Sequence, residues 1–334
     1  MAARYSLGVD LGGTKIMAAV VDVATGAIAG SDRKRTRAER GAAFLLERLG
    51  DVIDGALAEA KVKPSELAGI GIGAAGQVDR AGGVLISAPN LAYDTANLPL
   101  ADALRERYQV PVALGNDVEV AAFGELHFGA GRGCDNFLCV FIGTGIGGGI
   151  VIDGQLYRGA TGTAGEIGHI VVDAGGRHCG CGHRGCLEAY ASRTAITRTL
   201  LGELQRGRPS VLRELLSKGP EPGPGSAAIR SGLIAQAVAA GDELVLTTLD
   251  EAAEYLSLGL ASAVNLLNPR RVILGGGLIE AVDRFFTEVA RKTRQAALPV
   301  PAEHVEIVRA GLGDFSGVVG AAILGASASR PGAA

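Results

Sequence analysis

An α/β protein of two lobes is the fold that this sequence predicts, and three observations predict it. The first is an internal repeat. The stretch "LGVDLGGTKIMAAVVD" (Leu7 to Asp22) lies over "LCVFIGTGIGGGIVID" (Leu138 to Asp153) without a gap: Leu7 falls on Leu138, Val9 on Val140, Gly12 on Gly143 and Val21-Asp22 on Ile152-Asp153. Each copy reads as strand, glycine turn, strand, second turn and third strand, and a meander that occurs twice points to two lobes built on one plan. The second is the alternation of short apolar runs with segments of helical period along the rest of the chain. The third is glycine: 51 of 334 residues, gathered in bursts after apolar runs. Such bursts mark places where backbone turns tightly or comes close to a ligand.

After the first meander, "RGAAFLLERLGDVIDGALAEAKV" has the apolar spacing of a helix, "LAGIGIGA" is a buried strand ending in glycines, and "VPVALGND" is a short strand. "DVEVAAFGELHFG" is a helix opening at Asp117. Past the second meander and a cysteine-rich loop come several helices, broken by "KGPEPGPGS" (Lys218 to Ser226), an exposed loop by composition. "GDELVLTTLDEAAEYLSLGLASAVNLLN" is one long helix closed by Pro269. "RRVILGGGLIEAVDRFF" is strand, glycine turn and helix, "HVEIVRA" a strand, and "SGVVGAAILGAS" the last helix, with "SRPGAA" as a frayed tail. The expected lobes are 1–116, joined by the C-terminal helix 315–328, and 117–314, which carries the cysteine loop. A cleft between them is the natural place for a ligand.

Composition excludes several classes. Hydrophobic residues make up 48% and charged residues 20%, as in a soluble globular protein. A net charge of −3 argues against non-specific nucleic-acid binding, and 4% aromatics with no Trp leave little surface for stacking bases. "MAARYSLGVDLGGTK" lacks the apolar core of a signal peptide, and no run of about 18 apolar residues predicts a membrane span. Five cysteines, three of them clustered, do not form a disulfide framework, so a reducing cytoplasm is the expected setting.

Three kinds of segment carry chemistry. In "DLGGTK" (Asp10 to Lys15), the backbone N–H groups of Gly12 and Gly13 can point at phosphate oxygens, and Thr14 and Lys15 add donors. It is not a Walker A loop, since Thr14 separates Lys15 from the glycine. Without a ligand it is an ordinary hairpin turn. "GIGAAG" (Gly71 to Gly76) and "GTGIGG" (Gly143 to Gly148) both fit G-x-G-x-x-G, but each runs on into turn and strand, so a dinucleotide fold is rejected. The bland reading of the Gly71 stretch is a close backbone approach to a ligand or neighbouring strand. "ILGGGL" (Ile273 to Leu278) leads into a helix, and its glycines could let a nucleotide lie against backbone.

The third is Cys179-x-Cys181-x4-Cys186, three thiols within reach of one ion. Zinc prefers four such ligands in a closed tetrahedron, and His169, His178 and His183 are the candidates for the fourth. Bound metal would pin a loop too glycine-rich to hold itself, and would fix the flanking Glu166, His169 and Glu188. A redox role lacks its C-x-x-C before a helix.

Taken together, "DLGGTK", "GAAGQVD", "NDVEVAAFGE", "GTGIGGGIVIDGQLYRGATGTAGEIGH", "CGCGHRGCLE" and "ILGGG" resemble the ROK family of bacterial sugar kinases and related repressors, in order and over almost the whole chain. The resemblance implies an actin-like (ribonuclease H-like) duplicated fold whose two lobes close over sugar and ATP. It implies phosphorylation of a hexose by ATP, with glucose at its 6-hydroxyl first and N-acetylmannosamine, N-acetylglucosamine and fructose behind. Polyphosphate stays open as a donor.

The resemblance also implies roles. Asp117 is the expected catalytic base. Asn116, Glu166, His169 and Glu188, with Asn90 and the Gly76 backbone, are the expected sugar ligands. Gly12, Gly13, Thr14, Lys15, Gly143, Thr144 and Gly145 would hold phosphates, Gly275 and Gly276 would face adenosine, and Asp10 would hold Mg²⁺ through water. His169 with Cys179, Cys181 and Cys186 would hold a structural Zn²⁺, leaving His178 and His183 as bystanders. Ala75 stands where relatives often carry Pro. A homodimer is expected. Read blandly, Asp117 is a helix N-cap and Glu188 a first-turn acid, and both readings are compatible with the functional ones. A family repressor would carry a helix-turn-helix ahead of the first lobe, whereas only about six residues precede the first strand here.

Overall fold

The computed structural model describes residues 3–88, 91, 95–218 and 229–328. The chain forms two compact units, Met1–Gly133 with Asp314–Ala334, and Cys134–Gly313. Most of the loop Lys218 to Ser226 and the tail from Ser329 lie outside the described residues.

In the first unit, β1 (Tyr5–Leu11), β2 (Lys15–Asp22) and β3 (Ile28–Arg35) form the antiparallel meander that the repeat predicts. Helix α1 (Ala42–Ala60) returns the chain to β4 (Leu67–Ala74). The hairpin β5 (Gln77–Asp79) and β6 (Val84–Ser87) comes next, then α2 (Leu100–Tyr108), β7 (Val112–Asn116) and α3 (Asp117–Phe128). The sheet order is β3-β2-β1-β4-β7, with β4 and β7 parallel to β1. Buried on both faces, "LAGIGIGA" is the near-continuous apolar run of a central parallel strand. The edge strand β3 reads "IAGSDRKR", and its charges keep that edge from pairing with other chains.

The second unit repeats the plan. β8 (Phe137–Ile142), β9 (Ile146–Ile152) and β10 (Gln155–Tyr157) form the second meander. Helices α4 (Glu188–Ala191), α5 (Arg193–Gln205), α6 (Leu212–Lys218), α7 (Ser231–Ala239) and α8 (Glu243–Leu267) precede β11 (Arg271–Gly275). Then come α9 (Gly277–Ala281), α10 (Asp283–Ala296), α11 (Pro299–His304) and β12 (Glu306–Arg309). The order β10-β9-β8-β11-β12 matches the first sheet strand for strand. Each sheet has its own core, built around Leu7, Ile16, Leu45 and Ile72 in one unit and Val140, Leu249, Leu256 and Phe285 in the other.

The long helix α8 is capped as its sequence asks. Asp242 accepts the Val245 N–H at 3.0 Å, and Asn268, in the left-handed conformation ahead of Pro269, ends it. Among the described residues no single helix is long and apolar enough to cross a membrane.

The last helix, α12 (Ser316–Ser327), packs against β1, β4 and α3 of the first unit. Side chains are missing where these backbones meet. A Cβ on Gly71 would stand 1.8 Å from the Ala321 carbonyl oxygen, and one on Gly320 only 1.6 Å from that of Val120. The Gly71 burst therefore serves a close approach, to a helix rather than a strand. This packing also puts α3 in the first unit. The change-over falls after Gly133, where the sequence alone suggests Asn116.

Neither G-x-G-x-x-G leads into a helix: β5 comes after Gly76, and Gly147 and Gly148 lie within β9. The ILGGG turn does lead into α9.

Candidate active site and metal centre

In the first unit, the turn between β1 and β2 is closed by its own backbone, with the Gly12 N–H donating to the Lys15 carbonyl at 3.0 Å. Thr36 braces it from the core. Its hydroxyl donates to the Gly12 carbonyl at 2.7 Å, its N–H to the Thr14 carbonyl at 3.0 Å, and the residue is fully buried. Thr14 stays exposed. Lys15 Nζ lies 3.4 Å from Asp314, a loose exposed pair that holds little energy and leaves the ammonium available to a stronger anion.

The strand β7 ends where α3 begins, and two polar residues occupy the junction. Asn116 is the helix cap: its side-chain oxygen accepts the N–H groups of Val118 at 3.0 Å and Glu119 at 3.3 Å. Its amide donates to the Gly76 carbonyl at 3.2 Å, tying the junction to the bend after β4. Gly76 has φ +141, and a Cβ there would come 2.2 Å from the Ser87 carbonyl oxygen, so only glycine fits. Asp117 is thus not the cap that its sequence position suggests. It is the first helical residue, with Oδ1 accepting the Val118 N–H at 2.9 Å. The helix N-terminus favours its negative charge. Glu119, in the first turn of the helix, pairs with Arg80 of the β5–β6 hairpin, whose Nε lies 3.1 Å away.

Asp10, near the end of β1, is a strongly perturbed acid. Part of the residue reaches solvent, yet its carboxyl is pushed up from 3.8 to about 7, chiefly by burial, then by the charge of Asp117, against the opposing pull of Lys15. Two carboxylates that repel each other beside a glycine turn and a lysine make a donor set that a hard divalent cation would relieve. Magnesium fits there. Asn90 lies outside the described residues.

In the second unit, the β8–β9 turn is the counterpart. The Gly143 N–H donates to the Gly145 carbonyl at 2.9 Å. The start of α5 holds it from one side: Arg193 N–H donates to the Gly143 carbonyl at 3.0 Å, Arg193 Nη2 to the Thr144 hydroxyl at 3.1 Å, and the Thr194 hydroxyl to the Thr144 carbonyl at 2.7 Å. Glu188, first residue of α4, holds it from the other, its Oε2 accepting the Ile146 N–H at 2.8 Å. Gly275 and Gly276 close β11. A Cβ on the first would strike the Phe141 ring at 2.5 Å, and the second has φ +97. Packing alone therefore asks for glycine at both.

The cysteine loop resolves the choice of a fourth ligand. His169, Cys179, Cys181 and Cys186 offer ligand atoms that all lie within 4.8 Å of one another. The Sγ atoms of Cys181 and Cys186 are 3.7 Å apart, and His169 Nδ1 is 3.7 Å from Cys179 Sγ. A tetrahedron with Zn–S bonds of ~2.3 Å has edges of roughly 3.8 Å, so the four atoms fit zinc. His178 instead receives Arg184 at 2.6 Å. His183 lies beside Cys181 but outside the set. The Cys181 thiol is pulled down to about 6, chiefly by the His183 N–H and then its ring, so one thiolate is ready for metal at neutral pH. His169 turns its other nitrogen, Nε2, toward Glu166 Oε2 at 4.0 Å. One ring can therefore face the ion and a polar ligand at once.

The ROK family model matches residues 6–328. The chain belongs to the ROK family. It is 36% identical to a glucokinase of Halalkalibacterium halodurans over 96% of this chain and 94% of that one. It is 35% identical to a glucokinase of Thermotoga maritima over 95% of each. Among solved structures it is similar to a ROK family glucokinase from Streptomyces griseus in complex with glucose and AMPPNP, with TM-score 0.82, 34% identity, and coverage of 96% of this chain and 99% of that one. The fold of this ROK protein is accordingly the duplicated actin-like one.

Within its first unit, this ROK chain brings together Asp10, the Gly12–Lys15 turn, Gly76, Asn116 and Asp117. Within its second, it brings together the Gly143–Gly145 turn, Glu188, Glu166, His169 and the thiols. Sequence reasoning misses Thr36, Arg193 and Thr194. The last two lie in "ASRTAI", which reads as the plain start of a helix; nothing local marks contacts about 50 residues back along the chain.

Proposed function

We propose that this chain is an ATP-dependent glucokinase that transfers the γ-phosphoryl group to the 6-hydroxyl of glucose. The observation that carries the reading is the pair of acids at the first glycine turn, with Asp117 opening α3 close enough to Asp10 to raise its carboxyl. Glucokinases matching nearly end to end, and a neighbour solved with glucose and AMPPNP, support it.

In this reading Asp117 orients the sugar hydroxyl and takes its proton as the phosphoryl group arrives. Transfer of this kind passes through a loose transition state, so positioning and charge neutralisation supply most of the rate. Lys15 and the Gly13 amide in the first turn, and Thr144 and the Gly145 amide in the second, neutralise phosphate charge. Asp10 would hold Mg²⁺, which would supply further charge neutralisation at the phosphates. Asn116 and Gly76 in the first unit, and Glu166, His169 and Glu188 in the second, are taken to bind sugar hydroxyls, and zinc on His169 and the three cysteines would hold the second set in place. Gly275 and Gly276 are taken to face adenosine. The enzyme is placed in the cytoplasm and read as a homodimer.

The test mixes the protein with ATP and Mg²⁺ and follows ADP across a panel of glucose, fructose, mannose, N-acetylmannosamine and N-acetylglucosamine. Glucose is expected to give the highest kcat/KM. ADP release with an N-acetyl sugar alone would move the specificity, and release with no sugar would end the kinase reading.

A further inference from the structure

Arg193 is unusual among the arginines of this chain. Its backbone and its guanidinium both hold the second glycine turn, at the Gly143 carbonyl and the Thr144 hydroxyl. Yet Nε is buried with no hydrogen-bond partner. Among the described residues no acid forms an ion pair with Arg193, and its guanidinium is held instead by the Thr144 hydroxyl. Burial lowers its pKa with nothing acidic to offset it. It is also the first residue of α5, a helix of 13 residues whose cap is Ser192. A cation there opposes the helix dipole. A half-buried guanidinium with its Nε shut off from solvent, at the unfavourable end of a helix, gains from an anion that completes it.

We propose that Arg193 is a positioning residue for the phosphoryl donor: it fixes the Thr144 hydroxyl, and it stores behind the turn a positive charge that the donor's phosphates complete. The inference rests on the kinase reading, in which Thr144 and Gly145 hold phosphate. Arginine suits the task because its fork holds the threonine while its remaining donors face elsewhere and its charge is permanent. A helix-surface arginine with no such role would leave donor affinity untouched when replaced.

Arg193→Met and Arg193→Lys are compared with the wild-type chain, zinc-loaded, by calorimetric titration with Mg-ATP and by steady-state kinetics. We expect Arg193→Met to raise the Kd and KM for ATP about tenfold or more, while KM for glucose stays within about twofold. Arg193→Lys, which keeps the charge and loses the fork, falls between. An ATP Kd within about twofold of wild type in Arg193→Met overturns the inference, and so does an equal loss of ATP and glucose binding, which would make the residue merely structural. Should Arg193→Met fail to fold, Arg193→Lys decides by the same split between ATP and glucose. A wild-type chain that binds no ATP sinks the kinase reading itself, an outcome separate from unchanged binding by the variants.

Discussion

Asp117 and Asp10 carry the chemistry at the scale of single residues, and each yields an expectation. Asp117 keeps its place through the Val118 N–H, which an asparagine side chain can also engage. Asp117→Asn should therefore bind glucose normally and lose turnover by ~10²–10⁴-fold, the usual worth of a general base. A coupled assay with a glucose titration measures both, and full turnover would remove Asp117 from the role. Asp10 predicts a pH effect in magnesium-free protein. Its folded pKa of about 7 lies above its ordinary 3.8, so the folded state holds the proton more tightly than the unfolded chain. Its contribution to stability is then present below about pH 4 and lost as pH rises to about 7. Asp10→Asn should remove that slope, and urea melts at pH 4.5 and 7.5 without metal would show it. Identical slopes in both proteins would mean that the carboxyl is not perturbed. Asn and Asp side by side each favour a cap, so "ND" alone does not say which takes it; the backbone path out of β7 assigns Asn116.

At the scale of elements, two structures depend on features that the sequence displays unequally. The cysteine loop was legible, because thiols so closely spaced have little packing value unbound. Spacing alone leaves three histidines open, and only the family resemblance names His169, which lies 10 residues before Cys179 and reaches it through the 3-10 turn Ile167–His169. Metal analysis should find about one zinc per chain, lost in Cys181→Ser with a melting temperature lower by about 5 °C or more. A metal-free chain that melts where the zinc-loaded one does would remove the structural zinc. The second structure is the contact of α12 with α3. Gly320→Ala puts a methyl 1.6 Å from the Val120 carbonyl oxygen and should cost about 1–3 kcal/mol or more. Gly202→Ala in α5 meets nothing within 4 Å and should instead gain up to about 1 kcal/mol. Denaturant melts giving both variants the same sign would show that close approach is not what these glycines serve.

At the scale of the whole molecule, a homodimer is expected. Leu266, Leu298 and Val300 are 83%, 60% and 69% exposed near the end of α8 and the start of α11. Light scattering should give twice the chain mass of 33.9 kDa, and Leu266→Glu with Val300→Glu should halve it. A wild-type monomer at micromolar concentration would exclude the dimer. By itself the sequence determined the duplicated α/β plan, both glycine turns, the acid that opens α3 and the thiol cluster. Each rests on short stretches: a strand–turn–strand pattern, a helix start or a ligand spacing is written within about 25 residues, and the duplication shows when two such stretches are laid over each other. Only the tertiary structure decided the cap at Asn116, the unit to which α3 belongs, and the hold of Thr36 and Arg193 on the two turns. Those outcomes depend on which backbones pass within a few ångströms of each other, and chain spacing carries no such distances.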